Sequence, residues 1–175
     1  MKQTLAFLLV FAALTGSVAA QDHSMMDHSM PMATGSNDGR QLVNFPPHMR
    51  QRFLATMRGH LDALSGILEA LAEGDHAKAG RIAAARLGLN SPAAAACKLP
   101  GHGSAKHKES GSMDMEAMMA RYMPKGMREA GLKMHLSASD FAAVAARTGD
   151  GKLTYPALAR VTQRCVACHG AYRVH

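Results

Sequence analysis

The run Cys165-Val166-Ala167-Cys168-His169 gathers two thiols and an imidazole into one short stretch. On a helix, residues at i, i+3 and i+4 share a face, so Cys165, Cys168 and His169 would point the same way. C-x-x-C-H is the attachment pattern of c-type haem. The two thiols form thioethers with the vinyl groups of one porphyrin, and the imidazole reaches the iron from one side. The second ring nitrogen of His169 then needs an acceptor to fix its tautomer. Two other chemistries use a C-x-x-C pair. A dithiol redox motif belongs with a βαβ pattern, and none is visible here. A zinc site needs further ligands at matching spacing, whereas Cys97 stands alone far upstream. Covalent haem, one per chain, is therefore the expectation.

That chemistry asks for an exported chain, because c-type haem is attached outside the bacterial cytoplasm. Residues 1–20 read as a signal peptide: Lys2, an apolar run from Leu5 to Leu14, and the small residues Val18-Ala19-Ala20. Cleavage after about Ala20 and a periplasmic location follow. The apolar run is too short to span a bilayer, and no later stretch is longer. The formal charge is +7, one less without Lys2. Nucleic acid is a poor partner for it: aromatic residues make up 5% of the chain, Trp is absent, and the basic residues are scattered. An acidic redox protein or anionic headgroups suit the charge better. Once haem takes two cysteines, Cys97 is left over in an oxidising compartment. It is either an idle, partly buried thiol or one half of an intersubunit disulfide.

Residues 21–44 read as a disordered leader, short, polar and without periodicity. It holds a doubled unit, Asp22-His23-Ser24-Met25-Met26 and Asp27-His28-Ser29-Met30-Pro31, followed by Met32. Imidazole and carboxylate suit Cu(II) and thioethers suit Cu(I), so His23, Met25, Met26, His28, Met30 and Met32 are candidate copper ligands. With Gln21 as the mature terminus, His23 is the third residue and completes a square-planar amine–amide–imidazole set. The bland alternatives are a polar spacer or a scavenger of oxidants.

Hydrophobic periodicity then predicts four helices over 45–175. The first covers about 47–73, opened by Pro46-Pro47 and stopped by Gly74. Its seam is Met57, Leu61, Leu64, Leu68 and Leu71, extended back to Leu54 and Phe53. The second covers about 75–88, capped by Asp75. Residues 89–112 form a loop containing an Ala run, with His102 and His107 in its basic part; with Met113 and Met115 these make at best a weak metal site. A third helical stretch covers about 113–147, broken or kinked at Pro124, with Met127, Met134, Ala138, Phe141 and Ala145 inward. The fourth covers about 154–173, with Leu158, Val161, Cys165, Cys168 and Tyr172 in the same rhythm. The fold class is all-α, an antiparallel four-helix bundle with the haem inside.

The stretch Cys165-Val166-Ala167-Cys168-His169-Gly170-Ala171-Tyr172-Arg173 on a last helix, together with Leu54-Ala55-Thr56-Met57-Arg58-Gly59-His60 on the first, resembles the cytochrome c′ family. The resemblance covers roughly 46–175, specific at the haem motif and generic elsewhere. It implies Cys165 and Cys168 as thioether attachments, His169 as the proximal iron ligand, and Arg173 as a basic residue near that histidine. It also places the first helix over the distal face. Leu54 falls at the position of an apolar plug, which leaves the sixth coordination position open for NO or CO. Met57, one turn on, is the alternative as a thioether ligand, which raises the potential and suits electron transfer. His60 is a weaker third choice. Family members often pair through their first two helices, so a homodimer is implied as well. No distal acid–base pair is evident, and an electron carrier or gas binder is expected rather than an enzyme; a peroxidase would have to rely on His60.

Overall fold

The computed structural model describes residues 38–98 and 115–174. Within them the chain is mostly helical, with six helices among the described residues, and all-α is the class observed. No helix among these residues is long and apolar enough to cross a membrane.

Helix α1 covers Pro47–Ala72, entered through Pro46 with Pro47 in its first turn. It stops at Gly74, whose φ of 76° is a left-handed value that glycine adopts without steric penalty. Asp75 then caps α2, His76–Arg86, its carboxylate accepting from the Lys78 N–H at 2.7 Å. Such a short connection makes α1 and α2 an antiparallel hairpin. The second helix is shorter than the 75–88 expected, because the N–H groups of Leu87 and Gly88 both turn back to the Ala83 carbonyl. The Ala run is not a plain loop but a 3-10 helix, Pro92–Cys97.

The expected 113–147 helix is two helices, α3 at Met115–Tyr122 and α4 at Lys125–Arg147. Pro124 cannot continue the hydrogen-bond ladder. The carbonyls of Ala120 and Met123 left at the break accept from the Arg128 guanidinium, at 2.8 and 2.7 Å. Helix α5, Gly151–Ala171, starts before the expected Thr154, since the Asp150 carboxylate caps it by accepting from the Lys152 N–H at 2.8 Å.

Helix α5 also ends earlier than expected. Tyr172–Val174 is extended as β2 and pairs in parallel with β1, Gln41–Val43, in the register Gln41 with Tyr172 and Val43 with Val174. Residues 38–44, placed above in a disordered leader, therefore belong to the fold. Val43 is buried and joins the core around Phe45, Met49 and Phe53.

The helices pack in sequence, α1 on α2, α2 on α4, and α4 on α5, without a comparable contact closing α5 onto α1. Helices α2 and α4 approach closely at Gly80, where an added Cβ would come within 3.0 Å of the Ala142 carbonyl oxygen. The leucine seam expected on α1 is a second correction. Leu61 and Leu68 are exposed, and the inward row is Met49, Phe53, Ala63, Ile67, Ala70 and Leu71. Small residues at that face let α1 sit close against Ala79 and Ala83 of α2, which bulky leucines would prevent. Two apolar clusters result. One joins α1, α2, α4 and α5 around Ile67, Phe141 and Val161; the other joins Val43, Met49, Phe53, Cys97 and Met119 to Met127 of α4.

Candidate functional site

The Asp150 cap sets the phase of α5, so Leu158 and Val161 turn into the first cluster and the next residues on that face are Cys165 and Cys168. Cys165 packs against the first cluster and Cys168 against the second. Between the two clusters, where α5 does not close on α1, lies a cleft of about 630 Å³. Cys165, Cys168 and His169 all line it. The volume falls inside the range of about 300–1,000 Å³ for ligand and cofactor sites.

Opposite α5 the wall is α1, from Phe53 through Met57 and His60 to Leu64. The remaining wall is sulfur-rich: Met119 of α3, Met123 at the helix break, Met127 and Met134 of α4, and Cys97. Met57, Met119, Met123, Met127 and Met134 give the cleft five thioethers, a polarisable and deformable lining. The spacing of Met127 and Met134 was legible as an inward stripe. That Met119, Met123 and Cys97 would join them was not, because the Pro124 break and the 3-10 turn set their directions.

Burial raises the thiol pKa of both Cys165 and Cys168. They stand as neutral thiols beside an apolar space, and no described residue activates either as a thiolate nucleophile. Cys97 is pushed up further, to about 11, by burial and then by its neighbour Cys168, against a smaller opposing effect of Arg128. Its sulfur fills the space beside Gly131, where a Cβ would come within 2.5 Å of it. Cys97 is a free thiol buried at the cleft wall.

The imidazole of His169 has no hydrogen-bond partner among the described residues; its backbone carbonyl accepts from Arg40 Nη1 at 3.4 Å. His60 and His135 are two imidazoles in the cleft wall. His135 is almost wholly buried, and its Nδ1 lies 2.7 Å from the Leu87 carbonyl. A carbonyl only accepts, so Nδ1 carries the proton. The His60 ring lies edge-on to it, and His60 Nε2 is buried with no hydrogen-bond partner among the described residues. Leaving such a nitrogen unpaired costs about 1–3 kcal/mol. The His60 pKa is lowered to about 4, by burial first and then by His135 and His169.

Of the other expected site residues, Met57 is half-buried in the cleft wall and Leu54 sits at its rim, 37% exposed. Arg173 is not in the cleft. With α5 ended at Ala171, it lies on β2 and pairs with Asp38 at 3.5 Å, so it is not one helical turn beyond His169. The copper candidates His23, Met25, Met26, His28, Met30 and Met32 fall outside the described residues, as do His102 and His107. Among the described residues no group of three or more His, Cys, Asp or Glu side chains could hold a metal ion.

The donor set fits a porphyrin. Two thiols and an imidazole without a hydrogen-bond partner line one apolar cleft of cofactor size, and a single protein ligand suffices where a macrocycle supplies the rest. No family model, curated protein or solved structure matches the chain.

Proposed function

We propose that the chain is an exported mono-haem cytochrome of the c type, an antiparallel four-helix bundle like cytochrome c′ whose task is electron transfer. The observation that carries this reading is the convergence of Cys165, Cys168 and His169 on one cleft between α5 and α1. Cys165 and Cys168 would tether the haem by its vinyl groups, and His169 would bind its iron. When bound, the group supplies a one-electron couple. The chain's own part is to hold and insulate it. The apolar and thioether walls exclude water from the two faces, and a drier surrounding shifts the reduction potential.

The rim supports an acidic redox partner. Arg52 and Arg86 at the cleft are already paired, with Glu116 at 3.0 Å and Asp62 at 2.6 Å. Arg58 and Arg164, both exposed and also at the cleft, have no carboxylate partner among the described residues. Unspent positive charge beside a redox centre steers acidic partners toward it. Leu54, Leu61 and Leu68, seven residues apart along α1 and 37%, 68% and 55% exposed, support pairing with a second copy.

Co-expression with a haem-attachment system, followed by intact-mass measurement, tests the reading. The mature chain should carry the mass of one haem, retained after acid–organic extraction and lost in Cys165→Ser/Cys168→Ser. A wild-type chain with no added mass would end the proposal.

A further inference from the structure

We infer that His60 takes the sixth position of the haem iron, opposite His169, in preference to Leu54 and Met57. The inference rests on the haem reading above.

The inward row of α1 is buried at both ends, at Met49 and Phe53 and again at Ala63 and Ile67. Between them Met57 and His60 are only half-buried, and both line the cleft. The uncovered middle of an otherwise buried face is where a bound group must supply the missing contact. Leu54 is not on this row. Each residue turns a helix by about 100°, so Leu54 lies that far round from Phe53, and it is at the rim.

Two residues remain, and they differ in what they still need. Met57 packs against the Phe53, Met119 and Met123 cluster, and its thioether has little hydrogen-bonding capacity to satisfy. His60 Nε2 is buried without a partner. Turning about its Cβ–Cγ bond, a broad torsion for histidine, brings that nitrogen toward the cleft. His135 cannot compete for the role in the same way. It is almost wholly buried, so it offers less of its ring to the cleft than half-buried His60, against which it lies edge-on with ring centroids 5.7 Å apart. A neutral imidazole is a common iron ligand, and a second one opposite His169 would give a six-coordinate centre suited to electron transfer rather than gas binding.

The test uses the haem-loaded protein. Wild type should be low-spin in both oxidation states, with the magnetic resonance spectrum of two axial imidazoles and no spectral change on adding CO to the reduced form. His60→Ala should turn high-spin and bind CO, and added imidazole should restore the low-spin spectrum. Met57→Leu should leave wild-type spectra. A high-spin wild type that binds CO would overturn the inference, as would a low-spin centre lost in Met57→Leu. The wild-type spectrum alone distinguishes two imidazoles from an imidazole and a thioether. A low-spin spectrum kept in His135→Ala assigns the second imidazole to His60 even where His60→Ala does not fold, whereas its loss in His135→Ala would overturn the inference. Absence of haem is read separately from the intact mass, which distinguishes failure of the cytochrome reading from failure of this one.

Discussion

The imidazoles of His60 and His135 meet edge to face in the cleft wall, ring centroids 5.7 Å apart and planes at 84°. Both are held below the ordinary histidine pKa. For His60 the causes are burial and then the neighbouring imidazoles of His135 and His169; for His135 burial and Lys98 outweigh the opposing Leu87 carbonyl. The unfolded chain takes up these protons near pH 6.5, whereas folded His60 resists to about 4. The unfolded state therefore binds more protons across that interval, and stability must fall as the pH drops through it. Above pH 6.5 both states are neutral at these sites, and this source contributes no slope. Thermal denaturation of Cys165→Ser/Cys168→Ser, which carries no haem and leaves His60 unligated, should show its midpoint falling from pH 6.5 toward 4, less steeply when His60→Leu is added. An equal slope in the variant would show that His60 is not the group responsible.

Gly131 is fixed by its neighbour rather than by its backbone. A Cβ there would meet the Cys97 sulfur at 2.5 Å, so Gly131→Ala forces the 3-10 turn away from α4. Overpacking of this kind costs about 1–3 kcal/mol. Cys97→Ala removes the sulfur and should recover much of that loss when combined with Gly131→Ala. Chemical denaturation of the two single variants and the double variant would reveal the coupling; strictly additive costs would mean the two residues are not in contact.

What could be read from the chain beforehand follows from how local each signal is. The C-x-x-C-H face, the Asp75 and Asp150 caps and the Pro124 break are set within a few residues, and each acts as its local chemistry dictates. The α1 seam was misread because the leucine rhythm and the true inward row overlap at Leu64 and Leu71 but diverge at Leu61 and Leu68. Alanine carries a weak hydrophobic signal, yet Ala63 and Ala70 are the residues that permit close approach to α2. The pairing of 41–43 with 172–174 joins segments at opposite ends of the domain, and no local pattern announces it. His135 was passed over for the same reason, since its carbonyl partner lies on another element.

The strand pair holds the end of α5. Val43 is 2% exposed, and Asp38, its carboxyl held below the ordinary carboxylate range chiefly by Arg40, pairs with both Arg40 and Arg173. Exposed ion pairs of this kind contribute little, so the stabilisation should reside in the apolar contact. Val43→Ala is expected to cost about 1–3 kcal/mol, and Asp38→Asn less than that. Urea denaturation separates them. A larger loss in Asp38→Asn than in Val43→Ala would reverse this ranking and make the charged pairs the working part of the clasp.

The exposed leucines of α1 give the last prediction. Leu61 and Leu68 are more than half exposed, too large a pair of apolar side chains to be explained by packing within the chain. With Leu54 they repeat at the seven-residue interval that lets two helices lie together along a shallow supercoil. Leu54 and Leu61 also border the cleft, whereas Leu68 does not, so charge at Leu68 penalises the paired state and leaves the cleft untouched. Leu68→Glu should therefore keep the wild-type melting temperature at concentrations where the protein is monomeric. Sedimentation should show wild type as a dimer and the variant as a monomer. Should both sediment as monomers at every concentration tried, the stripe is ordinary exposed surface; should the variant unfold instead, Leu68 belongs to a core that the monomer itself requires.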